Sequence, residues 1–345
     1  MKVLVTGAAG FIGSWTADAF ASRGDEVLAV DNFSRRGNDV NAQWLRDRHG
    51  IEIERLGVED AAAMQSATSA FVPDVVVHLA GQVAVTTSVA NPRLDFESNA
   101  MGTFNLLEAV RMFAPKARFI FASTNKVYGG LSAPYRNPSV ERLRYVLPHP
   151  ASAGVNESHP LDFHSPYGCS KGAADQYVRD YARIYGMQTF VLRQSCIYGP
   201  RQFGIEDQGW VAWFVIAALL KKPVSVFGSG HQVRDVLHVD DLVDLYLRIA
   251  DRVEVQSGVY NVGGGPENTM SLLELIEYLT ARGIDIAHTF SRERPGDQEI
   301  FVSDISRALE TFGWRPEKSV QAGVEELIGW VQENKAFVAG VLNGD

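Results

Sequence analysis

The sequence predicts an α/β fold: a doubly wound parallel sheet with a smaller α+β lobe beside it. Three observations predict it. Apolar runs alternate with helical patterns along the first half of the chain. A glycine-rich turn follows the first apolar run directly. After residue 195 the pattern turns irregular, as expected of a second body built from other parts of the chain.

The elements follow in order. "KVLVTG" (2–7) reads as a strand, "FIGSWTADAFASRG" (11–24) as a helix and "EVLAVD" (26–31) as a strand. "WLRDRHG" (44–50) belongs to a helix, "IEIERLG" (51–57) to a strand, "AAAMQSATSAF" (61–71) to a helix and "PDVVVHLAG" (73–81) to a strand. Helix "MGTFNLLEAVRMF" (101–113), strand "ARFIFAS" (117–123), a helix from residue 165 to 186 and strand "QTFVLRQS" (188–195) continue the series. Such alternation predicts βαβ units and a parallel sheet covered on both faces. Residues 130–165 hold several prolines and little periodicity, too long for a structureless loop without a function. They read as a substrate-side insertion or flap. "RDVLHVDDLVDLYLRIA" (234–250) returns as strand plus helix. The lobes are therefore expected to interleave, with 1–193 and 234–258 forming the sheet domain and 194–233 and 259–345 the smaller lobe.

At 345 residues, 46% hydrophobic and 21% charged, the chain has the composition of a globular protein with a sizeable core. A net charge of −9 argues against a broad nucleic-acid footprint. The two cysteines, Cys169 and Cys196, have neither zinc-site spacing nor a disulfide framework, so no metal is expected and a reducing, cytoplasmic setting fits. No apolar run reaches the ~18–20 residues of a membrane span, so no membrane partner is expected. The N-terminus reads as a buried strand rather than a signal peptide.

"GAAGFIG" places Gly7, Gly10 and Gly13 between the first strand and its helix. Gly7 permits the tight turn, Gly10 lets backbone approach a pyrophosphate, and Gly13 lets helix pack on strand. Phe11 and Ile12 complete the turn, and the helix N-terminus offers N–H groups and a positive dipole to phosphates. This is the Rossmann-type dinucleotide fingerprint. Asp31 ends the second strand eighteen residues beyond Gly13. A carboxylate there accepts hydrogen bonds from ribose hydroxyls and repels a 2′-phosphate, favouring NAD. Arg35 and Arg36 follow closely and leave NADP open as an alternative.

Tyr167 and Lys171 stand four apart, on one helix face. A phenol titrates near pH about 10, and a nearby ammonium favours its ionised form. Such a pair can remove and return a hydroxyl proton.

Taken with these motifs, "VTGAAGFIG", "VDN", "HLAG", "NAMGTFNLLEA", "STNKVYG", "SPYGCSK", "YGPRQ", "RDVLHVDDLV", "YNVGGG" and "RPGDQ" resemble the extended short-chain dehydrogenase/reductases of the nucleotide-sugar epimerase and dehydratase group. The likeness runs over nearly the whole chain. It implies a catalytic triad of Thr124, Tyr167 and Lys171, with Thr124 on the reacting oxygen and Lys171 also holding the nicotinamide ribose. It implies further cofactor contacts from Asn32 and from Leu79, Ala80 and Gly81. Asn99 is expected to serve as a helix cap or a structural support. Arg234 and Arg294 are implied to hold the substrate diphosphate, whose oxygens suit a guanidinium fork. Cys196 and Gln208, in "DQGWV", are implied to lie near the sugar. One departure concerns adenine: the group's Gly-Asp pair after the third strand is replaced by Gly57-Val58, and Asp60 reads as a helix N-cap.

Dehydratases of the group carry an Asp-Glu pair just after the catalytic Thr, which supplies acid and base for loss of water. This chain has Asn125 and Lys126, which cannot do that work and are expected to grip the sugar or the flap. The longer strings "HLAGQVAVTTSVANP" and "LDFHSPYGCSKGAADQYV" resemble members that invert C2 of a CDP-hexose. The resemblance therefore implies NAD-dependent C2 epimerisation through a 2-keto sugar, on CDP-paratose/CDP-tyvelose or CDP-glucose/CDP-mannose. A UDP-hexose 4-epimerase is the alternative, and a non-catalytic NAD-sensing protein a more distant one. Members of the group associate through paired helices, which implies a homodimer or homotetramer.

Overall fold

The computed structural model describes residues 1–131, 138–147, 154–293 and 297–343. Arg294, expected at the diphosphate, lies outside them.

Five strands open the fold: β1 (Lys2–Thr6), β2 (Glu26–Asp31), β3 (Glu54–Arg55), β4 (Val75–His78) and β5 (Arg118–Thr124). The hairpin β6 (Ser139–Glu141) and β7 (Arg144–Val146) lies in the expected flap, and β8 (Gln188–Gln194) returns to the main sheet. Then come β9 (Cys196–Tyr198), β10 (Val224–Phe227), β11 (Val233–His238), β12 (Gly258–Val262), β13 (Thr269–Ser271), β14 (His288–Ser291) and β15 (Ile300–Phe301). The main sheet has seven strands in the order β12-β8-β5-β4-β1-β2-β3, and every pairing is parallel. The strand order reverses between β1 and β4. In such sheets that crevice, at the carboxyl ends of the strands, is where ligands bind.

Helices α1 (Phe11–Ser22), α2 (Asn38–His49), α3 (Ala61–Phe71), α4 (Val85–Ala90), α5 (Pro92–Phe96), α6 (Gly102–Phe113), α7 (Ser165–Tyr185), α8 (Trp210–Leu219) and α9 (Val239–Asp251) surround this sheet and the lobe. On one face, Phe20 of α1 and Leu242, Leu245 and Ile249 of α9 pack on Val3, Val5 and Ile120. On the other, Met64 of α3, Leu106 and Val110 of α6 and Val178 of α7 pack on Leu4, Val76 and Phe119. Cover on both faces explains why the strands are continuous apolar runs rather than alternating ones. The smaller lobe has its own core, in which Phe214, Val215 and Ile216 of α8 meet Leu275 and Leu327.

Two expectations need correction. The strand read over 51–57 contracts to Glu54–Arg55, both exposed at the sheet edge, where few neighbours reward pairing. The interleaving also falls elsewhere than expected. Residues 234–238, assigned to the sheet domain, instead belong to β11, which pairs with β9, β13 and β15 in a second sheet. Gly258–Val262, split at residue 258, instead pairs as a whole with β8 at the edge of the main sheet. No described helix is long and apolar enough to cross a membrane.

Candidate active site

The turn after β1 is built for close approach. Gly7 takes φ +71°, and a Cβ on it would lie 2.7 Å from the Ala80 nitrogen. That contact seats the Leu79-Ala80-Gly81 segment against the turn. A Cβ on Gly13 would lie 2.0 Å from the Gly7 carbonyl oxygen. Gly10 stands at the N-cap of α1 with no side chain capping the helix. The first N–H groups of the helix, at Phe11 and Ile12, are therefore capped by no side chain, which suits an anion.

Asp31 is buried at the end of β2. It accepts from Ala9 N (3.0 Å), Phe33 N (2.7 Å) and Asn38 Nδ2 (2.9 Å). Burial raises its pKa, and these donors oppose the rise. Asn32 is exposed and accepts from Ser34 N at 3.1 Å, so its side chain shapes the turn. The two arginines weighed for a 2′-phosphate are committed elsewhere. Arg35 donates to Gln208 of the smaller lobe, and Arg36 donates to the Leu342 carbonyl at 3.1 Å. Asp60 caps α3 by accepting from Ala63 N at 3.0 Å, as the sequence implies.

The residues expected to form the triad meet where β5 ends and α7 begins. Thr124, Tyr167 and Lys171 are 6%, 8% and 6% exposed. Pro166 in the first turn of α7 and the φ of +63° at Ser165 bring Tyr167 in over the strand end. Burial pushes the Tyr167 phenol up to about 12 and the Asp95 charge adds to the rise, while a hydrogen bond with Thr124 and the charge of Arg35 pull the other way. Burial also pulls the Lys171 ammonium down to about 7, against the opposing fields of Asp175 and Asp95. Its Nζ sits 4.2 Å above the Phe121 ring. The polar strand end divides its labour. Ser123 donates to Asp175 at 2.8 Å, and Thr124 Oγ1 accepts from Lys126 N at 3.2 Å.

Asn125 and Lys126 reach into the smaller lobe. Asn125 Nδ2 lies 3.5 Å from Gln298 Oε1, and Gln298 donates to the Gly129 carbonyl at 2.7 Å. Lys126 Nζ is 3.6 Å from Asp297 Oδ1, and Arg234 Nη2 is 3.7 Å from the same oxygen. Burial and the Arg234 charge lower the Lys126 pKa. Cys196 is within the field of both cations, and burial nonetheless raises its thiol pKa, which suits a packing role better than nucleophilic chemistry. Two cations sharing one carboxylate leave a positive excess at the lobe boundary.

Asn99 neither caps a helix nor opens to solvent. It lies in a π-helical turn, Glu97–Met101, and its Nδ2 contacts the Gln82 carbonyl, Asp95 and Ser170 at 2.9–3.1 Å. The sequence reading assigned no role to Asp95, Ser170, Asp175 and Gln298; all but Asp95 lie inside the quoted motif strings, and Asp95 lies four residues before Asn99. Elsewhere, His238, Asp240 and Glu326 bring ligand-type atoms within 4.8 Å of one another. The Lys318 ammonium, 2.7 Å from Asp240 and 2.5 Å from Glu326, supplies the cation there.

A parallel sheet with a glycine cradle at its switch point, beside a buried Tyr/Lys pair, is the arrangement of a dinucleotide-dependent enzyme. The NAD dependent epimerase/dehydratase family matches residues 3–263, and the chain belongs to it. The chain is 43% identical to the CDP-paratose 2-epimerase of Salmonella typhi, over 96% of this chain and 99% of that protein. It is 30% identical to a dTDP-glucose 4,6-dehydratase of Shigella flexneri over 100% of this chain and 96% of that one. The Thermus thermophilus UDP-glucose 4-epimerase, solved in complex with NAD, superposes with a TM-score of 0.80 at 31% identity, covering 96% and 99% of the two chains. The cofactor is NAD, and the glycine cradle, the open N-terminus of α1 and Asp31 fit it.

Proposed function

We propose that the protein epimerises a CDP-activated hexose at C2, with CDP-paratose/CDP-tyvelose as first substrates and CDP-glucose/CDP-mannose next. The observation that carries the reading is the 43% identity, spread over 96% of the chain, to a CDP-paratose 2-epimerase. The site supports it chemically. Dehydration needs carboxyl groups after Thr124, and Asn125 and Lys126 stand there instead.

Gly7, Gly10, Phe11, Ile12, Gly13, Asp31, Asn32, Leu79, Ala80 and Gly81 are proposed to hold the cofactor. When bound, NAD supplies reversible hydride acceptance at the sugar carbinol. Tyr167 removes the hydroxyl proton through its phenolic oxygen and later returns it. Thr124 donates to the reacting oxygen, and the Lys171 charge favours the phenolate. Lys126, just after β5, and Arg234 and Gln208 of the lobe face the nucleotide sugar, with Asn125 and Cys196 shaping the pocket. Inversion then requires only that the 2-keto sugar turn over before hydrogen returns.

We further propose a homodimer through α6 and α7. Phe104, Met112, Phe113, Tyr177, Ile184 and Tyr185 on these helices are all at least 37% exposed. A patch of that kind marks an association surface. A cytoplasmic setting fits the free thiols of Cys169 and Cys196.

Purified protein incubated with CDP- and UDP-hexoses tests the function. A new C2 epimer from a CDP-hexose supports it, a C4 epimer from a UDP-hexose replaces it, and tight NAD binding without turnover refutes both. In deuterated solvent the inverted carbon stays free of deuterium.

A further inference from the structure

Two carboxylates face the Lys171 ammonium, and they differ in what else they hold. Asp175, one turn further along α7, is consumed by Arg193. Arg193 Nε donates to its Oδ2 at 2.9 Å and Nη2 to its Oδ1 at 3.1 Å, with Ser123 adding a third bond. Both partners are buried, so this pair is neutral as a unit.

Asp95, on α5, is also fully buried but receives only neutral donors. Ser170 Oγ donates to Oδ2, and Gln82 Nε2 (2.9 Å) and Asn99 Nδ2 (3.1 Å) donate to Oδ1. No described cation stands within ion-pair distance of it. A buried carboxylate is costly unless an opposite charge answers it. The cation in its field is Lys171, itself buried and without a carboxylate in contact; burial raises the Asp95 pKa, and its three donors and the Lys171 charge oppose the rise.

The other groups facing this pair do not substitute. His78, on β4, is buried and held neutral, with a pKa near about 3. Phe121, on β5, offers its ring face. Arg35 faces Tyr167 rather than Lys171. The geometry is also local. Ser170 is the neighbour of Lys171, and its hydroxyl bridges Asp95 and the Tyr167 carbonyl (3.2 Å). Asn91 caps α5 and Pro92 starts it, which fixes where Asp95 points.

We propose that Asp95 is a positioning residue for the Tyr167–Lys171 pair. Its uncompensated charge keeps Lys171 protonated in the buried site, and its bond from Ser170 fixes the turn of α7 that carries both. Asp175 also raises the Lys171 titration, but Arg193 pairs with it, so Asp95 is the one of the two without a cation in contact. Losing the Asp95 charge moves the Lys171 titration to lower pH. The proposal rests on the epimerase reading for its turnover readout alone.

The test follows the Lys171 ε-carbon by NMR in lysine-labelled, NAD-loaded protein, assigned by its absence from Lys171→Arg. In Asp95→Asn the Lys171 titration is expected to fall by about one pH unit. The alkaline limb of kcat moves with it, and kcat at neutral pH falls by about tenfold. Ser170→Ala lowers kcat but leaves the titration in place, because the charge remains. Asp95→Glu keeps the titration within about half a unit of the wild type. An Asp95→Asn protein with lower kcat but an unmoved titration and limb overturns the proposal in favour of packing alone. If Asp95→Asn does not fold, an Asp95→Glu titration that drops despite the retained charge overturns it equally. The NMR arm needs no substrate, so it stays readable if the sugar assignment fails.

Discussion

Lys126 Nζ stands 3.6 Å from Asp297 Oδ1, tying the residue two places after Thr124 to the smaller lobe. Arg234 shares that carboxylate oxygen from the other side. A diphosphate arriving at this boundary meets two guanidinium or ammonium groups and one displaceable carboxylate. Lys126→Met is expected to raise KM for the nucleotide sugar by about tenfold, the worth of one charged hydrogen bond. NAD content should be unchanged. An equal loss in kcat with unaltered KM would place Lys126 in the chemistry instead.

Tyr167→Phe removes the only group proposed to carry the proton. Turnover should fall by ~10²- to 10⁴-fold. The protein should still purify with NAD, read by absorbance and by release on denaturation.

The Lys171 pKa is lowered to about 7 by burial, so its charge is lost as pH rises through that value. The support proposed for the Tyr167 phenolate is lost with it. The kcat profile should therefore fall on the alkaline side, starting near the Lys171 titration. Lys171→Arg keeps a charge at every accessible pH. Its kcat should be lower throughout, with that alkaline limb flattened.

Gly13→Ala places a methyl group 2.0 Å from the Gly7 carbonyl oxygen, at the seam where α1 meets the turn. The backbone must shift, at a cost of about 1–3 kcal/mol. Bound NAD should be lost on purification, and the melting temperature should drop. Retained NAD at wild-type occupancy would contradict the cradle.

Tyr177 and Ile184 lie on one stripe of α7, 50% and 65% exposed, with Phe104 of α6 beside Tyr177 at a ring distance of 5.8 Å. Changing both to Asp puts charge on that stripe without touching the core. Sedimentation should then report a monomer for the variant and a dimer for the parent protein.

The sequence made legible whatever repeats along the chain or sits in a short motif. The parallel sheet followed from buried runs such as "VLVT" and "VVVH", and the glycine turn and the Tyr/Lys spacing are local patterns. The strand at 51–57 misled because an apolar alternation at a sheet edge has too few neighbours to pair. The lobe boundaries misled for a different reason. β11 follows the irregular segment and precedes a sheet-domain helix, and only its partners, β9, β13 and β15, assign it. The polar support of the site was illegible because it is tertiary. Asp95 meets Ser170 across 75 residues, and Arg193 meets Asp175 between a strand and a helix.

The chain leaves the main sheet after β8, enters the lobe with β9, runs through it to β11, returns for α9 and β12, and leaves again. Neither lobe is thus a cassette that recombination can cut out and replace at a single joint. Exchange of sugar preference in such an architecture has to proceed by point changes within one inherited frame. The same weave makes the two lobes melt together, since unthreading one withdraws an edge strand from the other.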